Sequence, residues 1–181
     1  MLLEAAQSSL LLIDIQERLL PAMAERHQVV AKSSILLTAA RELALPVTIS
    51  EQYPKGLGRT TPELMSGDAV VFEKMTFSCW RDAAMKQHFI KLHEGGRPLI
   101  IVAGIEAHVC VLQSCIDLSA AGFGVFAVCD AMSSRKTDSA DLAFERMRAF
   151  GIEVVNTEMA LFELLERAGT PQFKALSALI K

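Results

Sequence analysis

Apolar positions along this chain fall into short unbroken runs separated by stretches of helical spacing. Ser8–Asp14 (SSLLLID), Pro46–Ser50 (PVTIS), Ala69–Glu73 (AVVFE), Pro98–Ala103 (PLIIVA), Gly124–Asp130 (GVFAVCD) and Ile152–Asn156 (IEVVN) each read as a buried strand. Between the first two, His27–Leu45 places Val29, Val30, Ile35, Leu36, Ala39, Ala40 and Leu43 on one face of a helix. Trp80–His93, His108–Ala121, Ser139–Phe150, Thr157–Arg167 and Phe173–Ile180 read as further helices, with Gly95-Gly96, Gly122 and Gly151 as stops and Thr157 as a cap. Pro21 interrupts any helix in Ile15–Met23, and Thr61-Pro62-Glu63 opens a short one. Glu51–Thr61 (EQYPKGLGRTT) is rich in Gly, Pro and polar residues and reads as a long loop.

Strands that alternate with helices and lack internal polar alternation are buried on both faces. The expected fold is therefore α/β: a three-layer α/β/α domain with a six-stranded, mostly parallel sheet of the Rossmann-like kind. No repeat, low-complexity tract or linker divides residues 1–181, so a single domain is expected. Ligands in such sheets bind at the carboxyl ends of the strands.

Composition sharpens this picture. At 181 residues the chain can bury a sizeable core, and its 51 % hydrophobic content exceeds a soluble average. The excess points to a doubly covered sheet or to a subunit interface, so a homo-oligomer is expected. The net charge of −3 favours neither nucleic acid nor an anionic membrane as partner. Every apolar run stops well short of the ~20 residues of a membrane span. Glu4 and Asp14 do not fit a secretory leader, so the expected compartment is the cytoplasm. Cys79, Cys110, Cys115 and Cys129 show no CxxC or Cys/His ligand spacing and are expected to be free thiols. No phosphate-binding glycine motif follows the first strand, and no cofactor is expected.

Three reactive side chains sit at or just past predicted strand ends: Asp14 after the first, Lys74 after the third and Cys110 after the fourth. A thiol attacks carbonyl carbon as its thiolate, which a nearby cation or a helix N-terminus favours. Lys74 can supply the cation. Asp14 can hold Lys74 and move a proton as general base and acid. The expected substrate is a small molecule carrying an acyl carbon. Taken singly, each residue has a plainer reading: a helix cap, a solvated lysine and a core cysteine.

The segments LLLIDIQ (10–16), EKMTFSCW (73–80) and VAGIEAHVC (102–110) resemble the isochorismatase-like cysteine hydrolases. SEQYPKGLG (50–58), SSR (133–135) and PQFK (171–174) are similar to the small isochorismatase-domain-containing proteins. The resemblance covers nearly the whole chain. It implies the isochorismatase-like hydrolase fold, with Asp14, Lys74 and Cys110 as the catalytic set. It also implies a cis peptide between Ile105 and Glu106, whose purpose would be to turn the Glu106 N–H inward beside that of Cys110. These two amides would form an oxyanion hole, with each donor worth ~3–4 kcal/mol in such sites.

Departures from the family narrow the reaction. The loop Glu51-Gln52-Tyr53-Pro54 has no histidine where nicotinamidases carry metal ligands, so neither a metal nor nicotinamide is expected. Ala107-His108 stands where many members have Thr-Asp. Isochorismatases proper lack the cysteine, so Cys110 favours hydrolysis of an amide, imide or ureide C–N bond. A catalytically idle oligomeric interaction module is the alternative.

Further candidates surround this set. Gln16 lines the pocket or lies on solvated surface. Tyr53 reaches in from the long loop. Phe77 and Trp80 wall a flat substrate or pack in the core. His108, two residues before Cys110, could tune the thiolate or contact the substrate, although positions i and i+2 point apart on a helix. Cys79 adjoins the Lys74 segment. Arg135 binds an anionic group or caps a subunit contact.

Overall fold

Every strand pairing in the central sheet is parallel. The strands are β1 (Ser8–Ile13), β2 (Val47–Gln52), β3 (Val70–Lys74), β4 (Leu99–Ile105), β5 (Gly124–Ser133) and β6 (Glu153–Val155), in the order β3-β2-β1-β4-β5-β6. The helices are α1 (Arg26–Glu42), α2 (Pro54–Leu57), α3 (Ala83–Glu94), α4 (Leu112–Ala120), α5 (Thr137–Ala149), α6 (Thr157–Leu165) and α7 (Pro171–Ser177). This architecture comes from a computed structural model, which describes residues 1–65 and 67–180.

The strand alternation explains the unbroken apolar runs. Leu10, Leu12, Ile49, Ile101 and Phe126 face α1 and α6, where Val29, Leu36, Ala160 and Leu164 complete one core layer. Leu11, Ile13, Ile100, Val102 and Val125 face the other way, onto Met85, Phe89, Cys115, Leu118 and Met147 of α3, α4 and α5. A fully buried Leu or Ile is worth roughly 1.5–3 kcal/mol relative to exposure, so both layers hold the sheet. Edge strand β3 is the exception, with Val70 and Val71 exposed.

Strand order reverses between β1 and β4, so a crevice opens at their carboxyl ends. Gly104 lets the two strands close there. It pairs with Ile13, has φ 137°, and a Cβ on it would lie 2.2 Å from the Ile13 carbonyl oxygen. Only glycine fits that approach. The Ile105–Glu106 peptide is cis.

Several boundaries move for local reasons. Trp80 precedes α3 in a 3₁₀ turn, because Asp82 is the stronger start signal and its Oδ1 accepts the N–H groups of Ala84 and Met85 at 3.0 Å each. Asn156 caps α6, while the Thr157 N–H and hydroxyl both donate to Asp130 Oδ1 at 2.8 Å. The expected loop loses Glu51 and Gln52 to β2 and folds Pro54–Leu57 into the single turn α2. Strand β5 runs past Asp130 to Ser133 through a register shift opposite Val102 and Gly104, which sets Ser133 beside Ile105. The segment after β4 begins as a π-helical turn, Ala107–Val111, before α4 takes over.

Candidate active site

Strand β1 ends in Asp14, whose backbone has φ 54°, in the left-handed region that non-glycine residues rarely adopt. Its N–H donates to the Ser50 carbonyl at 3.0 Å, and its side chain is wholly buried. Lys74, the last residue of β3, points back beneath β2. Its Nζ donates to Asp14 Oδ2 at 2.7 Å and to Gln52 Oε1 at 2.8 Å. The carbonyls of Thr76 and Phe77 accept from it at 3.2 Å each. Four acceptors around one buried nitrogen are the surroundings of a charged ammonium. Cys110, in the π-helical turn, is 6 % exposed, and the charges of Asp14 and Lys74 both act on its thiol. The structure thus brings Asp14, Lys74 and Cys110 together at the β1/β4 crevice.

The electrostatics follow from burial. Desolvation pushes the Asp14 carboxyl above the usual aspartate range, against the pull of Lys74 and Ser50. Burial opposes charge on Lys74, but the attraction of Asp14 wins and holds it above the ordinary lysine value. Burial, and then the charge of Asp14, push the Cys110 thiol upward despite Lys74. Lys74 pulls the thiol toward its ionised form, as expected of it, while burial and the Asp14 charge pull the other way.

Two residues of this centre carried no warning in the sequence. Ser50 Oγ donates to Asp14 Oδ1 at 2.7 Å, and the Gln52 side chain spans Lys74 Nζ and the Met75 carbonyl, to which it donates at 3.0 Å. Both come from the end of β2, where Ser50 pairs with Ile13 and Gln52 with Lys74. Cys79 lies behind them. Its sulfur is 3.7 Å from Ser50 Oγ, and burial raises its pKa to about 11, so it stays a thiol.

The remaining candidates sort by their contacts. Gln16 is fully buried, which removes the surface reading. Its Nε2 donates to the Gln52 and Gly58 carbonyls at 3.0 and 2.7 Å, and its Oε1 accepts the Gln52 N–H at 2.7 Å. It clamps the loop after β2 and has no polar atom left for a ligand. Glu51 clamps the same loop from inside, accepting Thr60 N–H at 2.8 Å, Thr60 Oγ1 at 2.9 Å and Arg59 Nη1 at 2.8 Å. Tyr53 is 49 % exposed and lines a cavity of about 320 Å³ with Pro54, Lys55, Glu73, Lys74 and Met75. The Phe77 ring is exposed, and only its carbonyl reaches Lys74. Trp80 packs edge-on against Phe123 at 5.8 Å, under Lys86 Nζ at 5.2 Å from its ring. The His108 ring turns to Ser134, with Nδ1 at 2.8 Å from the hydroxyl. The Glu106 carboxylate accepts from Arg135, and its backbone N–H has no acceptor among the described residues. Among the described residues no group of three or more His, Cys, Asp or Glu could hold a metal ion, and no helix is long and apolar enough to cross a membrane.

Comparison with known proteins identifies the family of the chain. The Isochorismatase domain family model matches residues 8–159, most of the chain. The chain belongs to the isochorismatase family. Membership places it among hydrolases. The secreted isochorismatase effector Isc1 of Phytophthora sojae is 35 % identical over 179 residues, covering 96 % of this chain and 84 % of that protein. Isochorismatase domain-containing protein 1 of Salmo salar is 38 % identical over 170 residues. That match covers 93 % of this chain but 59 % of the fish protein, so the chain spans well under two thirds of it. The structure of the MAR1 ribonuclease from Caenorhabditis elegans superposes with a TM-score of 0.91 at 32 % identity, covering 99 % of this chain and 92 % of the other.

Proposed function

We propose that the protein is a metal-independent cysteine hydrolase of a small amide, imide or ureide. The observation that carries this reading is the buried Cys110–Asp14–Lys74 set, closed by the 2.7 Å Lys74–Asp14 ion pair. As Cys110 Sγ attacks the acyl carbon, its proton passes to Asp14. The carbonyl electron pair moves onto oxygen, within reach of the Glu106 and Cys110 amides, which would form the oxyanion hole. Collapse of the tetrahedral adduct expels the nitrogen, protonated by Asp14, and leaves a thioester. Water, deprotonated by Asp14, then releases the acid and returns the thiol. Lys74 stays charged throughout and keeps the proton-loaded and proton-free forms of Asp14 in one position. The unpartnered Glu106 N–H supports the hole, and the elevated Asp14 pKa supports a carboxylate basic enough to take a thiol proton.

A screen of small amides and ureides, read as ammonia release, tests this with Cys110→Ser as control. Turnover should vanish in the variant while the fold persists. Wild-type rates in a Cys110→Ala variant would sink the proposal. RNA belongs in the same screen because the C. elegans relative is a ribonuclease. A net charge of −3 gives no electrostatic footprint for it.

One observation favours the alternative, an idle interaction module: Cys110 is buried, and burial pushes its thiol upward. Alkylation at neutral pH separates the two readings. A hydrolase should show Cys110 reacting far faster than Cys79, Cys115 and Cys129, and an idle site should not. Exposed Val70, Val71, Met75 and Phe77 on and beside edge strand β3 support a homo-oligomer, in which a second copy would cover them. Sedimentation at micromolar concentration should show a species larger than the 19.8 kDa chain.

A further inference from the structure

Beside the π-helical turn, on the side where His108 turns to Ser134, lies a cavity of about 480 Å³ lined by His108, Arg135, Lys136 and Ser139. Two of these residues are permanent cations, one is an imidazole, and none is a carboxylate. Nothing in the proposed reaction uses them.

Two of the lining side chains are held in place by buried polar groups. The Arg135 backbone N–H and Nε both donate to Glu106 Oε2, at 3.1 and 3.0 Å. The Glu106 side chain is only 10 % exposed, whereas that of Arg135 is 64 % exposed. The guanidinium is thus fixed by its inner edge, and neither Nη group has a partner among the described residues. His108 is fixed in the same way. Its Nδ1 is engaged by the wholly buried Ser134, leaving Nε2 without a partner among the described residues. Lys136 is exposed, and Ser139 adds a hydroxyl from the first turn of α5, where it donates to Asp138 Oδ1 at 3.5 Å. No side chain caps the N-terminus of that 13-residue helix.

We propose that this cavity is a binding site for the anionic end of a small molecule, a carboxylate or phosphate group. A guanidinium anchored through Nε presents two NH₂ groups in the spacing that matches two oxygens of such an anion. Preorganisation by Glu106 and Ser134 removes part of the ordering cost that a free surface arginine would carry. The site draws on the π-helical turn, the connection from β5 to α5 and α5 itself, so the fold positions it. This inference stands apart from the hydrolase reading, because binding is measured without turnover.

Isothermal titration with inorganic phosphate and with succinate, at matched ionic strength, tests it and separates the two anion types. The proteins are wild type, Arg135→Gln and Lys136→Gln, each also in a Cys110→Ala background. At least one anion should bind saturably at one site. Affinity should fall about ten-fold or more in Arg135→Gln, the size expected for a lost charge-assisted pair, and several-fold in Lys136→Gln. Arg135→Gln frees a buried carboxylate and can unsettle the fold; Lys136→Gln leaves the Glu106 pair intact and serves as the second variant. Absence of saturable binding by either anion overturns the proposal, and so does wild-type affinity in both variants. Binding that persists in the Cys110→Ala background keeps the site even if hydrolysis is never found.

Discussion

Lys74 Nζ sits 2.7 Å from Asp14 Oδ2 with both side chains at 0 % exposure, so this carboxylate and its cation are buried as a pair. Removing one member leaves an uncompensated buried charge, which costs about 3–5 kcal/mol; replacing both can be neutral. Lys74→Met should therefore lose about that much in urea unfolding, and the Asp14→Asn/Lys74→Met double variant should recover most of it. Turnover should vanish in both. Equal stability of the single and double variants would show that the pair is not coupled.

The pH dependence has two separate signs. Lys74 titrates above its ordinary 10.5 in the fold, so its contribution to stability is complete below that value and is lost as pH rises through the folded pKa. Glu51 behaves oppositely. Burial opposes its charge, but Thr60 and Arg59 hold it below 4.5, so its contribution is present above pH 4.5 and lost as pH falls through the folded pKa. Thermal melts should show a stability plateau with an alkaline shoulder abolished in the double variant and an acid shoulder abolished in Glu51→Gln. A melt profile unchanged by Glu51→Gln would rule out the second assignment.

Activity should have its own acid limb. Asp14 is the proposed base, and burial raises its pKa above the usual aspartate value of 3.8. Turnover and Cys110 alkylation should both fall on acidification at a pH above that value. Ser50→Ala removes a hydrogen bond that favours the carboxylate, so the limb should move further up. A limb that stays in place in Ser50→Ala would mean that Asp14 is not the group being read.

Asp14, Lys74 and Cys110 were legible in the sequence because each closes or follows an apolar run, and strand ends in parallel sheets converge on one edge. Their neighbours were not. Ser50 and Gln52 reach the site through the pairings Ile13–Ser50 and Gln52–Lys74, long-range registers that no local pattern encodes. For Gln16 the sequence left pocket lining and solvated surface open, because a glutamine carries no local sign of the three backbone groups that engage it here. The upward push on the Cys110 thiol also escaped the sequence, since it depends on how deeply the fold buries the sulfur. His108, a candidate for tuning the thiolate or touching substrate, turns its Nδ1 to Ser134, a partner 26 residues away that no local pattern encodes.

Gly104→Ala should be among the most damaging single changes. The added Cβ would lie 2.2 Å from the Ile13 carbonyl oxygen and 2.7 Å from its nitrogen, and both are backbone atoms that cannot swing aside. With φ at 137° the position also disfavours any side chain. Strands β1 and β4 would have to separate at the point where Asp14 faces Cys110. Overpacking of this kind costs ~1–3 kcal/mol or more, and the variant should lose Cys110 reactivity even where circular dichroism shows a folded chain. Wild-type stability and reactivity in Gly104→Ala would mean that the strands are not held this closely.

Gln16 offers the sharpest separation of positioning from catalysis. Its amide donates to two carbonyls and accepts one N–H, and all three partners lie on the β2 end or its loop. Gln16→Ala strands those groups, at about 1–3 kcal/mol for each that water does not reach. Gln52, released at its backbone, would then hold Lys74 less firmly through its side chain. We expect Gln16→Ala to raise hydrogen exchange across residues 52–60 and to lower kcat through Lys74. Gln16→Glu should be worse still, since a carboxylate cannot donate to the Gly58 carbonyl and sits beside the Gln52 carbonyl oxygen. A ligand-contact role would instead raise KM with exchange in the loop unchanged, an outcome that would return Gln16 to the substrate pocket.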